Sequence, residues 1–132
     1  MDGRGKRRKG AVGERELAGI LSEQLGFEVK RKLGQARDGG YDIEIGRFCI
    51  EVKRQERLAI EDWCKQVEAA VTTQITTVSR IDSEGDFEPP VPVVVFRRSG
   101  QPWRAVVPLD WLIKAMREDL GAKRDVQARD GA

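Results

Sequence analysis

Residues 41–54 read Tyr-Asp-Ile-Glu-Ile-Gly-Arg-Phe-Cys-Ile-Glu-Val-Lys-Arg, two alternating runs on either side of Gly46-Arg47. A two-residue loop with glycine first suits a type II′ turn and closes a β-hairpin. With Gly46 and Arg47 in the loop, Ile45 faces Phe48, Ile43 faces Ile50 and Asp42 faces Glu51. The period of two puts Ile43, Ile45, Phe48, Ile50 and Val52 on one face of the hairpin. Asp42, Glu44, Cys49, Glu51 and Lys53 take the other face. A slip of one residue would carry carboxylates into the apolar side, so the pattern itself pins the register.

Outward from the hairpin, Ala11–Leu25 repeats Leu17, Ile20, Leu21 and Leu25 at helical spacing, and Gly26 stops the helix. Phe27–Lys32 alternates briefly and is predicted as a strand, followed by the glycine-containing loop Gly34–Gly40. On the other side, Ile60, Cys64, Val67 and Val71 form a helical stripe. Thr72–Ile81 keeps that spacing with β-branched residues of poor helix propensity, and Asp82–Pro90 is an acidic loop. Val91–Arg97 is a dense β-branched run, the mark of a central strand. Ser99-Gly100 turns it toward a strand at Trp103–Val107. Pro108 opens a last helix with Leu109, Leu112, Ile113 and Met116 on one face. The order is α-β-β-β-α-β-β-α: a single α/β domain with a mixed sheet flanked by helices.

The 132 residues are 39% apolar and 35% charged, which suits one soluble domain. The formal charge is +2, but residues 1–10 hold Arg4, Lys6, Arg7, Arg8 and Lys9 against Asp2 alone. Residues 1–10 are therefore expected as a flexible basic arm, 11–120 as the folded domain and 121–132 as a polar, frayed tail. No histidine occurs, which excludes imidazole bases, Ser-His-Asp triads and His-ligated zinc. Cys49 and Cys64 are too few for a structural zinc site or a disulfide framework. No run is long enough to cross a membrane and no signal-peptide core follows the basic start, so a cytoplasmic location is expected. Hydrolytic chemistry in such a chain must rest on carboxylates and lysine, with or without a hard metal.

Opposed carboxylates repel one another on a sheet. Either Lys53 neutralises Glu51 on a solvated face, or Asp42 and Glu51 share a divalent cation, which takes oxygen ligands. Glu44 reads as a solvated strand residue first and an outer group second. Two features favour the cation. Glu14 lies beside the Leu17, Leu21 and Leu25 stripe, where a carboxylate is costly unless paired, whereas Glu16 and Glu23 point away. A first-turn glutamate favoured by the helix dipole is the plainer alternative. The glycines leading into Asp42 also let a backbone or a phosphate approach closely.

Glu14, then Gly39-Gly40-Tyr41-Asp42, then Glu51-Val52-Lys53 resembles the E…(P)D…(D/E)-x-K signature of the PD-(D/E)XK nuclease superfamily. Arg8-Lys9-Gly10 before Glu14-Arg15-Glu16, with Gly26-Phe27 and Arg31 beyond, looks like the opening of archaeal-type Holliday-junction resolvases and phage resolvase-like members. The resemblance covers residues 6–72; Tyr41 stands where many members have proline. It implies a restriction-endonuclease-like α-β-β-β-α-β core and Mg²⁺-dependent hydrolysis of DNA phosphodiester bonds, with Mn²⁺ able to substitute. It implies Glu14, Asp42, Glu51 and Lys53 as catalytic residues, and metal binding by Asp42, Glu51 and the Val52 carbonyl, with Glu14 acting directly or through water. Gln66 is implied as an accessory residue.

Arg4, Lys6, Arg7, Arg8, Lys9, Arg31 and Arg37 are the expected phosphate contacts, with Lys30 and Lys32 beside them. Trp63, Trp103 and Trp111 are expected as core or interface anchors, and Cys49 as a packing residue. Three functions remain open. One is a structure-selective endonuclease on branched DNA in recombination or repair, working as a homodimer. Another is a different PD-(D/E)XK nuclease acting on duplex or single strands, and the third is a non-catalytic DNA-binding relative. An intact Glu14, Asp42, Glu51 and Lys53 set argues against the last.

Overall fold

The computed structural model describes residues 3–32, 40–77 and 89–130. Its elements are α1 (Gly3–Leu25), β1 (Ile43–Ile45), β2 (Phe48–Arg54), α2 (Ile60–Thr77), β3 (Val91–Arg97), β4 (Arg104–Val106) and α3 (Leu109–Asp130). The strands form one mixed sheet in the order β1-β2-β3-β4. β2 and β3 run parallel, joined through α2, and the two outer pairs are antiparallel. A parallel pair needs such a helical crossover, whereas the outer pairs close with short turns.

The hairpin register is the one its turn demands: Ile45 opposes Phe48, Glu44 opposes Cys49 and Ile43 opposes Ile50. Gly46 has φ of +56° and no non-glycine residue among those described has positive φ, as a type II′ turn requires. The alternation then builds two apolar layers. Leu17, Ala18, Val29, Ile43, Ile50, Val52, Val91 and Val93 pack on the α1 side, with Trp103 and Trp111 against them. Cys49, Trp63, Val67, Val71, Val94 and Phe96 pack beneath α2. Cys49 is thus the packing residue expected of it, and the hairpin's charged face is half covered by a helix rather than open to water. Burying side chains of this size contributes about 1.5–3 kcal/mol each.

Several expectations change. Phe27–Lys32 is no strand; it meets the sheet in a single bridge, Arg31 to Ile43, because β1 is only three residues long. Ser22 ties this segment back to the helix, its Oγ accepting from Val29 N–H at 2.8 Å and donating to Ala18 O at 2.7 Å. The stretch expected as a flexible basic arm is helical in its backbone from Gly3, since lysine and arginine are good helix formers and the helix that follows supplies the nucleus. The expected frayed tail likewise continues α3 to Asp130, through alanine, lysine, arginine and glutamine. The ambiguous Thr72–Ile81 stretch is helical as far as Thr77; residues 78–88, with most of the acidic loop, lie outside the described residues.

The buried arc of α1 is centred on Gly13, Glu14, Leu17 and Ala18, which leaves Ile20 and Leu25 exposed. In α3, Trp111, Leu112 and Ala115 turn inward, and Leu109, Ile113 and Met116 stay exposed. Among the described residues no helix is long and apolar enough to cross a membrane.

Candidate active site

Asp42 immediately precedes β1, and the ladder shifts there. Its N–H donates to Ile50 O at 2.9 Å, so Asp42 and Ile43 both oppose Ile50 in the manner of a β-bulge. The expected direct pairing of Asp42 with Glu51 is therefore modified by one step. A bulge re-aims a side chain, and here Asp42 Oδ2 accepts the Val52 N–H at 2.8 Å. Two carboxylates are spared direct opposition, and one gains a buried donor. Asp42 is 2% exposed and Glu51 4%.

Glu51 and Lys53 lie two residues apart on the α2 side of β2. Lys53 Nζ is 3.4 Å from Glu51 Oε1 and donates to Gln66 Oε1 at 3.2 Å. Gln66 comes from α2, so a helix and a strand together aim the ammonium. Asp42, Glu51 and Gln66 line one cleft of about 390 Å³, completed by Gly40, Ala69, Ala70 and Thr73. The last three are residues that sequence reading passed over. Their signal was the spacing 66, 69, 70, 73, one face of a helix.

Glu14 is 1% exposed and pairs at 3.3 Å with Arg31. Arg31, expected along a phosphate track, is thereby turned toward a buried carboxylate. The pair stands next to Asp42: Arg31 bridges Ile43, and Lys32 N–H donates to Asp42 O at 2.7 Å. Among the described residues no three His, Cys, Asp or Glu side chains are grouped so as to hold a metal ion. Glu14 is engaged here by the Arg31 guanidinium, which offsets the cost of burying its carboxylate. Glu16, expected to point away, accepts from Trp103 Nε1 at 3.2 Å and from Arg97 at 3.4 Å, tying α1 to the far side of the sheet.

Glu44 is exposed and pairs with Lys32 at 3.4 Å; the Lys32 ammonium also lies 4.1 Å from the centre of the buried Tyr41 ring. Lys30 is exposed. Arg37 lies outside the described residues, and of residues 3–9 only the helical backbone is described.

The donor set suits a hard dication. Magnesium favours oxygen, and is commonly held by one or two carboxylates with water filling the remaining positions. Asp42 and Glu51 supply two carboxylates in one cleft. In a strand a residue's N–H and C=O point to the same side, so the Val52 carbonyl faces the β1 side as its N–H does. Cys49 adds nothing to such a site. Burial pushes its thiol pKa up, a hydrogen bond from Tyr41 only partly opposing this, and a neutral thiol is a poor ligand for a hard ion.

No curated protein matches the chain. Among solved structures, a Holliday junction resolvase, Hjc, from the archaeal hyperthermophile Archaeoglobus fulgidus is similar, at 22% identity and a TM-score of 0.46, covering 75% of this chain and 72% of that one. The family model described as "Phage putative PDDEXK endonuclease" matches residues 5–129. With nearly its whole length matched, and with two carboxylates in one cleft and Lys53 paired to one of them, the chain belongs to this PDDEXK endonuclease family and is a nuclease of that kind.

Proposed function

We propose that this nuclease is a divalent-metal-dependent endonuclease that hydrolyses phosphodiester bonds in branched DNA of the four-way-junction type. Mg²⁺ is its working ion and Mn²⁺ can replace it. The observation that carries the reading is the cleft in which Asp42 and Glu51 stand beside the Lys53 ammonium, in a chain without histidine. Asp42, Glu51 and the Val52 carbonyl would hold the ion, with Glu14 contributing directly or through water. When bound, the ion supplies a Lewis acid for the phosphate and lowers the pKa of a coordinated water. Lys53 orients the attacking water and stabilises the charge that grows on the phosphate oxygens. Gln66 fixes the direction of that ammonium through its 3.2 Å hydrogen bond. The basic start of α1, with Arg37, contacts backbone phosphates, which fixes position without reading sequence. A four-way junction offers paired scissile phosphates, which suits a two-fold homodimer acting in the cytoplasm during recombination or repair.

The test is cleavage of labelled four-way junction, fork, duplex and single-stranded DNA with Mg²⁺, Mn²⁺ or EDTA. The junction should be cut best, in either metal and not in EDTA. Asp42→Asn and Glu51→Gln should abolish cutting and leave DNA binding intact or tighter, because each removes negative charge near phosphate. Equal cutting of all substrates would make this a general nuclease of the family. Full cleavage by both variants, or in EDTA, would remove these residues and the metal from the mechanism.

A further inference from the structure

Gln66, Ala69, Ala70 and Thr73 follow the spacing i, i+3, i+4, i+7, and all four line the cleft that holds Asp42 and Glu51. Along this stripe the chemistry changes abruptly. Gln66 is long and polar and engages Lys53. The next two positions are alanine, and Thr73 spends its hydroxyl hydrogen on Ala69 O at 3.0 Å. Past Gln66 the helix wall is therefore low and mostly apolar for seven residues, about 10 Å of helix. Gly40 joins it in the cleft lining without a side chain. A wall of this kind leaves the volume beside the carboxylates to something else. At about 390 Å³ the cleft is at the small end of the roughly 300–1,000 Å³ range of ligand sites. A cleft of this size admits a nucleoside unit.

We infer that the Ala69–Thr73 face of α2 is the seat of the nucleotide next to the scissile phosphate, and that the small side chain at Ala69 sets the clearance for its sugar. The inference rests on the nuclease reading and deepens it, by naming the wall along which the cut strand leaves the carboxylates. The weakly polar surface suits a sugar face rather than a second phosphate.

A graded series at Ala69 tests this, because Ala69 is exposed and serine and leucine are both tolerated in helices. Ala69→Ser, Ala69→Leu and Ala69→Phe would be assayed for DNA cleavage, for Mn²⁺ affinity by calorimetry and for thermal midpoint. Cleavage should fall with side-chain volume, little for serine and at least tenfold in kcat/KM for leucine and phenylalanine. Mn²⁺ affinity should stay within twofold throughout. Wild-type cleavage by the phenylalanine variant would overturn the inference while the nuclease reading stood. Parallel loss of Mn²⁺ affinity would overturn it too, by making this wall part of the ion's own site. A wild-type protein that cuts no DNA would instead take down the functional reading and the inference with it.

Discussion

At Lys53 two partners converge, Glu51 from its own strand and Gln66 from α2, and they hold the ammonium in place before any substrate arrives. A group that acts on charge developing in the transition state should show itself in turnover more than in affinity. Lys53→Ala is expected to lower kcat by about 10²-fold or more with a small change in KM, measured on whichever DNA the enzyme cuts best. Lys53→Arg should recover little, because a planar guanidinium spreads its charge and cannot replace a compact ammonium between Glu51 and Gln66. Turnover at the wild-type rate in the arginine variant would reduce Lys53 to a counter-charge for Glu51. Cys49 makes a different kind of prediction. Burial raises its thiol pKa above the ordinary 9.0, so the unfolded chain ionises there before the folded one does. Unfolding then releases a proton, and stability is lost as pH climbs past about 9. Urea midpoints measured between pH 8 and 10.5 should fall with pH, and Cys49→Ala should flatten the fall; an unchanged slope would mean that the thiol does not stay protonated.

Among the elements, α1 comes close to β2 at Gly13, where an added Cβ would lie 2.7 Å from Arg54 Cβ and 3.8 Å from the Trp103 ring. Helix propensity alone favours Gly→Ala by about 1 kcal/mol, but here the backbone or the strand must yield, and overpacking costs about 1–3 kcal/mol. Gly13→Ala should therefore destabilise the protein. Gly19→Ala, six residues along the same helix with nothing within 4 Å of its added Cβ, should stabilise it. Chemical denaturation of the pair would decide the matter, and stabilisation by both would mean that α1 does not pack at this distance. This approach could not be read from the sequence, because it depends on which helix lies against which strand. The hairpin could, since the turn at Gly46-Arg47 and alternation on both sides force one register. That Glu51 and Lys53 share one face of β2 was legible for the same reason, being set by the strand period, whereas Gln66 was suggested by the family resemblance and by no period. The shift at Asp42 was not legible, because it answers to a side-chain bond with Val52 N–H that no period encodes. Nor were the partners of Glu14 and Glu16: a helical wheel tells which side faces the protein, but not that Arg31, Arg97 and Trp103 wait there.

For the molecule as a whole, the basic start matters as a continuation of α1. α1 begins at Gly3, so ten residues precede Gly13, about 15 Å of helix continuous with the segment packed on β2. Arg4, Lys6, Arg7, Arg8 and Lys9 all fall within it. A free arm would find phosphates anywhere within reach, whereas a helical backbone ties these residues to the frame of α1. If these residues hold phosphates, replacing all five with glutamine should weaken binding to every DNA while keeping the helix, since glutamine is a good helix former. The slope of log K against log salt should flatten by roughly 0.9 for each duplex phosphate no longer neutralised. Phosphate binding carries no base information, so sequence preference should not change. Shape preference should. In a homodimer two such helices reach different duplexes of a branched molecule, and both engage at once only there, so the gain from linking them belongs to the junction. The substituted protein should then lose more affinity for a four-way junction than for linear duplex, measured with Glu51→Gln present so that binding is read without cutting. Equal losses would leave a general grip on DNA and no selection of branches, and unchanged binding to both would mean that the basic helix end faces solvent alone.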